Sequence, residues 1–173
     1  VLPRERSDEK TARVLGEVIP AILDNCSFED VYSDVWWYKL KTGTGVYGVF
    51  WDNEKDNGLG DIDIRKVDLL NLFWQPGIED IQKSANVFHV ELLDRETVEG
   101  EWPELKQYRH DDTVDVSEKV AVVDWYYKLR RPGASVVLHY VKFCSGHVLY
   151  ASENDPAYAE RGYYDHGKYP FVF

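Results

Sequence analysis

The apolar pattern of this chain changes period once, at Gly43-Thr-Gly45, and that change constrains the fold more than any other feature. Before it, apolar residues recur at the spacing of a helix face. Val14, Leu15, Val18, Ile19, Ile22 and Leu23 form one stripe, and Phe28, Val31, Tyr32, Val35 and Trp36 form a second. After it, the apolar runs are short, β-branched or aromatic, and bounded by turns, which is how strands read. Helices gathered at one end and strands at the other predict an α+β fold. In it, N-terminal helices pack on a mostly antiparallel β-sheet. The βαβαβ alternation of a nucleotide-binding sheet is missing.

Local signals place the boundaries. Ser7 stands where a helix cap belongs, followed by Asp8 and Glu9, which suit the positive end of the dipole. Pro20 lacks a donor and crowds the carbonyl of Gly16, so a bend without a break is expected. Ser27-Phe-Glu-Asp30 has the form of a capping box opening a second helix. Lys39 and Lys41 suit its C-terminus, and Gly43 its stop. Strands are expected at 46–51, 61–67, 87–93, 120–129, 136–143 and 147–151, with the first two forming a hairpin. Gln75-Pro-Gly77, Arg131-Pro-Gly133 and Ser145-Gly146 supply turns. Short helical pieces are expected over 78–84 and after Asp94, the latter closed by Trp102-Pro103. Charge density over 106–118 predicts a mobile loop. The whole is expected to be one α+β domain over 1–173. Its helical part is 1–43, its sheet part 44–152, and an extended exit follows over 153–173. Val1 in place of Met, and an apolar run reaching Phe173, suggest a fragment of a longer chain.

Charge and motif exclude more than they select. The formal net charge is −11, the wrong sign for a chain that grips phosphate backbones. No apolar run approaches the roughly 18 residues of a membrane span. Cys26 and Cys144 lack CxxC spacing and read as buried free thiols of a reducing compartment. Gly43-Thr-Gly-Val-Tyr-Gly48 matches GxGxxG, but here the helix comes first and the strand follows, so phosphate would not meet a helix N-terminus. A helix-to-strand turn is the better reading. In the segment 52–58 the glycine comes one place late for an EF-hand, and the twelfth position is Asp63, so a solvated hairpin loop is expected.

None of His89, His110, His139, His147 and His166 has the spacing of a metal pair. His89 and His139 fall in strands. His110-Asp-Asp112 sits in the expected mobile loop, which offers no rigid orientation for a catalytic pair. Trp125-Tyr-Tyr127 and Tyr140 suit a sheet core and an assembly surface better than base stacking, since Glu118 and Asp124 offset the nearby lysines and arginines. No catalytic, cofactor-binding or metal-ligating residue is assigned, and no cofactor is expected. The residues alone favour a structural or interaction role over an enzyme.

Several segments, in order, resemble portal proteins of tailed bacteriophages and prophages. Val35-Trp-Trp-Tyr-Lys-Leu-Lys-Thr-Gly-Thr-Gly-Val-Tyr-Gly-Val-Phe-Trp-Asp52 is similar to a portal passage in which a helix runs through glycines into an aromatic strand. Ile64-Arg-Lys-Val-Asp-Leu-Leu-Asn-Leu-Phe-Trp-Gln-Pro-Gly77 resembles the segment that follows, with Leu69 or Leu70 where a proline is usual. Asp80-Ile-Gln82, Asn86-Val-Phe88 and Tyr164-Asp-His-Gly-Lys-Tyr-Pro-Phe-Val172 continue the likeness. The resemblance implies a wing and upper-core fragment, with residues 153–173 leading toward the stem. It implies a non-enzymatic subunit of a homo-oligomeric ring of about twelve, at the portal vertex of the virion. Such a ring meets terminase, head–tail connector and capsid proteins and lets double-stranded DNA pass without specific binding. It is assembled in the bacterial host cytoplasm, away from membranes. Two other readings stay open: a small carbohydrate-active or other hydrolytic domain, and a phage tail or baseplate adaptor.

Overall fold

A computed structural model describes residues 1–107, 119–130 and 136–173. Most of the loop expected over 106–118, with His110 and Asp112, and the turn Arg131-Pro-Gly133 lie outside the described residues. The fold is α+β, as the change of period predicts. It holds two antiparallel sheets where one was expected. The chain divides into two compact units, Val1–Leu69 with Pro170–Phe173, and Leu70–Tyr169. This division is finer than the single domain read from the sequence, and it assigns the first hairpin to the helices.

In the first unit, α1 (Glu9–Asn25) runs unbroken through Pro20. Ser7 does not cap it: a 3-10 turn, Arg6–Asp8, precedes the helix, and Asp8 takes the cap position without a side-chain bond. The α1–α2 corner is only Cys26 and Ser27. Ser27 turns it with φ 48° and ψ 46°, so its hydroxyl makes no cap bond and the expected capping box does not form. Its carbonyl accepts from Asp30 and Val31 N–H instead. α2 (Phe28–Thr42) then ends where expected, at Gly43 with φ 83°, whose N–H donates to Lys39 O at 2.8 Å.

β1 (Val46–Asp52) and β2 (Asp61–Val67) form the hairpin, in register from Val46↔Val67 to Asp52↔Asp61. β1 takes a second partner from the other end of the chain. Pro170 O accepts Val49 N–H at 2.8 Å, and Phe171–Val172, here β8, pairs with Tyr47 and Gly48. The small core is Val35, Val46, Val67 and Phe171, all at most 2% exposed.

The second unit is a five-stranded antiparallel sheet in the order β3-β4-β5-β6-β7: Leu72–Trp74, Asn86–Asp94, Lys119–Leu129, Val137–Cys144 and His147–Ala151. Alternation on β5 buries Val120, Val122, Asp124 and Tyr126 on one face. The short helix Arg95–Glu101 lays Val98 on that face, where Leu105, Val120, Val122 and Cys144 complete an apolar cluster. Each such side chain contributes about 1.5–3 kcal/mol.

β7 covers only part of β6, from Val141 to Cys144. Beyond it, Ser152 Oγ accepts Tyr140 N–H at 2.9 Å, and Tyr163 N–H donates to Leu138 O at 2.7 Å. The segment after β7 thus closes a sheet edge that would otherwise offer unpaired backbone. Tyr169 then fixes the chain before it leaves the unit. Its N–H and carbonyl bond reciprocally to the Gln82 amide, and its hydroxyl donates to Ser84 O at 2.8 Å.

Candidate assembly surface

α1 leaves its apolar stripe open. Val14, Leu15, Val18 and Ile19 are 41–50% exposed, and Ala12 is the helix's one buried residue. Helical spacing gathers these side chains on one face, but nothing among the described residues covers that face to the depth of a core. α2 carries an aromatic row at four-residue spacing. Phe28 lies 6.1 Å from Tyr32, and Tyr32 lies 6.0 Å from Trp36. The row ends in a basic, aromatic patch. Trp37 is 63% exposed and Leu40 73%, Lys39 Nζ lies 5.6 Å from the Trp36 ring, and Lys41 Nζ lies 4.6 Å from the Trp37 ring. Exposed apolar surface of this kind marks contact with another molecule.

At the opposite end of α2 the α1–α2 corner encloses a groove of about 490 Å³. Pro20, Leu23 and Phe28 give it an apolar lining, and Asp24, Glu29 and Asp30 make it acidic. The left-handed turn at Ser27 sets this corner, which is why no helix periodicity announced it.

Buried titratable groups gather elsewhere, in the second unit. Asp124 pairs across the sheet with His89 on β4 and Lys142 on β6. Its carboxylate accepts Tyr140 Oη–H at 2.6 Å and lies 3.6 Å from both Lys142 Nζ and His89 Nδ1. Burial by itself raises the carboxyl pKa. The His89 bond, the Lys142 charge and the Tyr140 bond outweigh it and hold the group below its ordinary value. Tyr140 is driven far up, by burial first and by the Asp124 charge next. This is a carboxylate whose charge is neutralised from within, with both oxygens engaged. It ties three strands together. The sequence marked Asp124 only as a charge offsetting its neighbours, since cross-strand register does not show in a linear pattern.

The sequence motifs resolve in structural terms. The three glycines of Gly43 to Gly48 do separate work. Gly43 supplies a positive φ. A Cβ on Gly45 would lie 2.6 Å from Val35 Cγ1, and one on Gly48 would meet the Phe50 ring and lie 2.8 Å from Val67 Cγ2. Gly45 lets the lead into β1 press against α2, and Gly48 leaves room within the hairpin for the Phe50 and Val67 side chains. Asp52 Oδ1 accepts Glu54 N–H at 2.9 Å, and Asp63 pairs with Lys55 at 2.7 Å, so these carboxylates serve the hairpin loop. Among the described residues, no three His, Cys, Asp or Glu side chains gather as ligands for an ion. Nor is any helix among them long and apolar enough to cross a membrane.

His89 and His139 lie in β4 and β6 as expected, with His139 Nδ1 3.2 Å from Ser152 Oγ. His147 opens β7, and His166 Nδ1 accepts Lys168 N–H. Cys26 and Cys144 are free thiols, and Cys26 Sγ donates to Ile62 O at 3.1 Å. Trp125 is only half-buried, between Phe88 at 5.8 Å and Tyr127 at 4.5 Å, with its indole N–H on Asn86 Oδ1.

An α+β chain that neutralises its buried carboxylate internally and leaves helix faces open has the make-up of an assembly subunit. The family model for phage P22-like portal proteins matches residues 1–168, and the chain belongs to that family. It is a phage structural protein of the portal type, as the sequence resemblance implied. No curated protein matches the chain.

Proposed function

We propose that this chain is the wing and upper-core part of a portal subunit. In this reading, copies of it close into a ring of about twelve, through which double-stranded DNA enters and leaves the capsid. The family match over residues 1–168 carries the reading. The open apolar faces of α1 and α2 support it, because a ring subunit needs surface that folding leaves uncovered. The net charge of −11 suits a conduit, since a channel that binds DNA tightly would stall it. The subunit does no chemistry of its own. Terminase, head–tail connector and capsid proteins are its partners. It assembles in the host cytoplasm and ends at the portal vertex of the virion.

The test has two parts. Light scattering and electron microscopy of the complete portal chain are expected to show closed rings. A complete chain that stays monomeric at every salt and protein concentration would refute the ring. Proheads assembled without the chain are expected to fail to package DNA when terminase and ATP are supplied. Packaging at the normal level without it would refute the conduit.

A further inference from the structure

We propose that the acidic groove at the α1–α2 corner seats the basic, aromatic end of α2 from a second copy of this chain. This inference rests on the ring reading above and names the contact that would build it. The groove of about 490 Å³ combines the apolar Pro20, Leu23 and Phe28 with the acidic Asp24, Glu29 and Asp30. Three carboxylates repel an anion despite the helix N-terminus beside them, so the occupant must be apolar and cationic together. The far end of α2 answers that description. Trp37 and Leu40 are among the most exposed large apolar side chains of the chain, and Lys39 and Lys41 lie over the Trp36 and Trp37 rings.

Groove and patch cannot meet within one molecule. They sit at opposite ends of a single helix, roughly 15 Å apart at 1.5 Å per residue. Their complementarity is satisfied only between copies. Because each copy then offers a different surface to each neighbour, the contact is heterologous, the kind that propagates around a ring. A chain of net charge −11 repels copies of itself, and local lysines set against carboxylates reverse that repulsion at one place.

Charge exchange in the complete portal chain tests the contact. Variant one carries Lys39→Glu and Lys41→Glu; variant two carries Asp24→Lys and Glu29→Lys. Each alone sets like charges together and is expected to self-associate on the order of a hundredfold more weakly than the parent. Mixed in equal amounts, they are expected to regain rings in which the two strictly alternate. A single chain carrying all four substitutions is expected to form rings by itself, which guards against variants that merely fold poorly. Sedimentation and electron microscopy read the outcome. Rings from either variant alone at the parent's level overturn this contact, and leave the ring reading intact, with a different segment in the groove. Mixtures that stop at closed dimers overturn it also. Failure of the parent itself to form rings overturns both.

Discussion

Replacing Gly162 with alanine tests how the segment after β7 is held on its sheet. Gly162 has φ 86°, and a Cβ there would lie 2.7 Å from Leu138 O, 2.8 Å from Val137 Cγ1 and 3.2 Å from Leu138 N. Alanine in the left-handed region costs about 1–2 kcal/mol. The clash is with strand backbone, which cannot swing aside as a side-chain tip can, and overpacking of this kind adds about 1–3 kcal/mol. Relief by moving the segment stretches the 2.7 Å bond from Tyr163 N–H to Leu138 O, a further loss of about 0.5–1.5 kcal/mol. The expected total is about 2.5–6.5 kcal/mol, a large part of the roughly 5–15 kcal/mol of a typical domain.

Gly77→Ala is the matched control, because Gly77 has φ 80° and open space around its missing Cβ. It should show the backbone cost alone, about 1–2 kcal/mol. Urea unfolding followed by tryptophan fluorescence measures both variants. Equal losses for the two would refute the claim that Gly162 is required by its close approach to β6.

Three other outcomes follow from the geometry. Ser27→Gly should stabilise the first unit by about 0.5–1 kcal/mol in thermal or urea unfolding, since glycine accepts the left-handed turn that serine endures; a loss would show that the serine side chain matters there. Asp124→Asn should cost about 3 kcal/mol near neutral pH by leaving Lys142 and His89 without their carboxylate. The folded pKa of Asp124 is depressed, so its contribution is present above the unfolded value of about 4 and is lost as pH falls through the folded value. Parent and variant should therefore converge in stability on acidification, and a constant gap down to the lowest pH would refute the assignment.

At the other extreme, burial and the Asp155 bond push Tyr150 up to about 12, and burial raises Tyr140, Tyr164 and Tyr169 further. Their contribution is whole below about pH 10 and is lost as pH rises through the folded values. Phenolate absorbance and loss of circular dichroism should rise together above that pH. Complete ionisation before any loss of structure would refute it.

What the sequence disclosed and what it hid divide along physical lines. Local rules worked where the cause was local. Gly43 stops α2 because only a residue tolerant of positive φ fits there, and β4 to β7 show in alternating or apolar runs between turns. The capping-box pattern at Ser27 failed because a two-residue corner between helices demands a left-handed backbone, which removes the hydroxyl from bonding reach. β8 escaped notice because two residues carry no periodicity and their partner lies far back in the chain. The apolar stripe of α1 was legible as a face, yet exposure is a property of what lies opposite, and no one-dimensional pattern records that. The Asp124 network likewise exists only once register aligns three strands.

The return of the chain from Tyr169 to β8 bears on the order in which the molecule acquires its structure. Gly48 and Phe171 pair across roughly 120 residues, and closing such a span costs on the order of 4 kcal/mol before any bond forms. Prior collapse of Leu70–Tyr169 would shorten the disordered span and lower that cost. During synthesis the N-terminal helices leave the ribosome first, but the third strand of their sheet arrives only with the last of these residues. Until then Phe171 is missing from their core and the open edge of β1 lacks its partner. Within this stretch the part made earlier is thus the part finished later, and the open edge of β1 waits for its partner until Phe171 emerges.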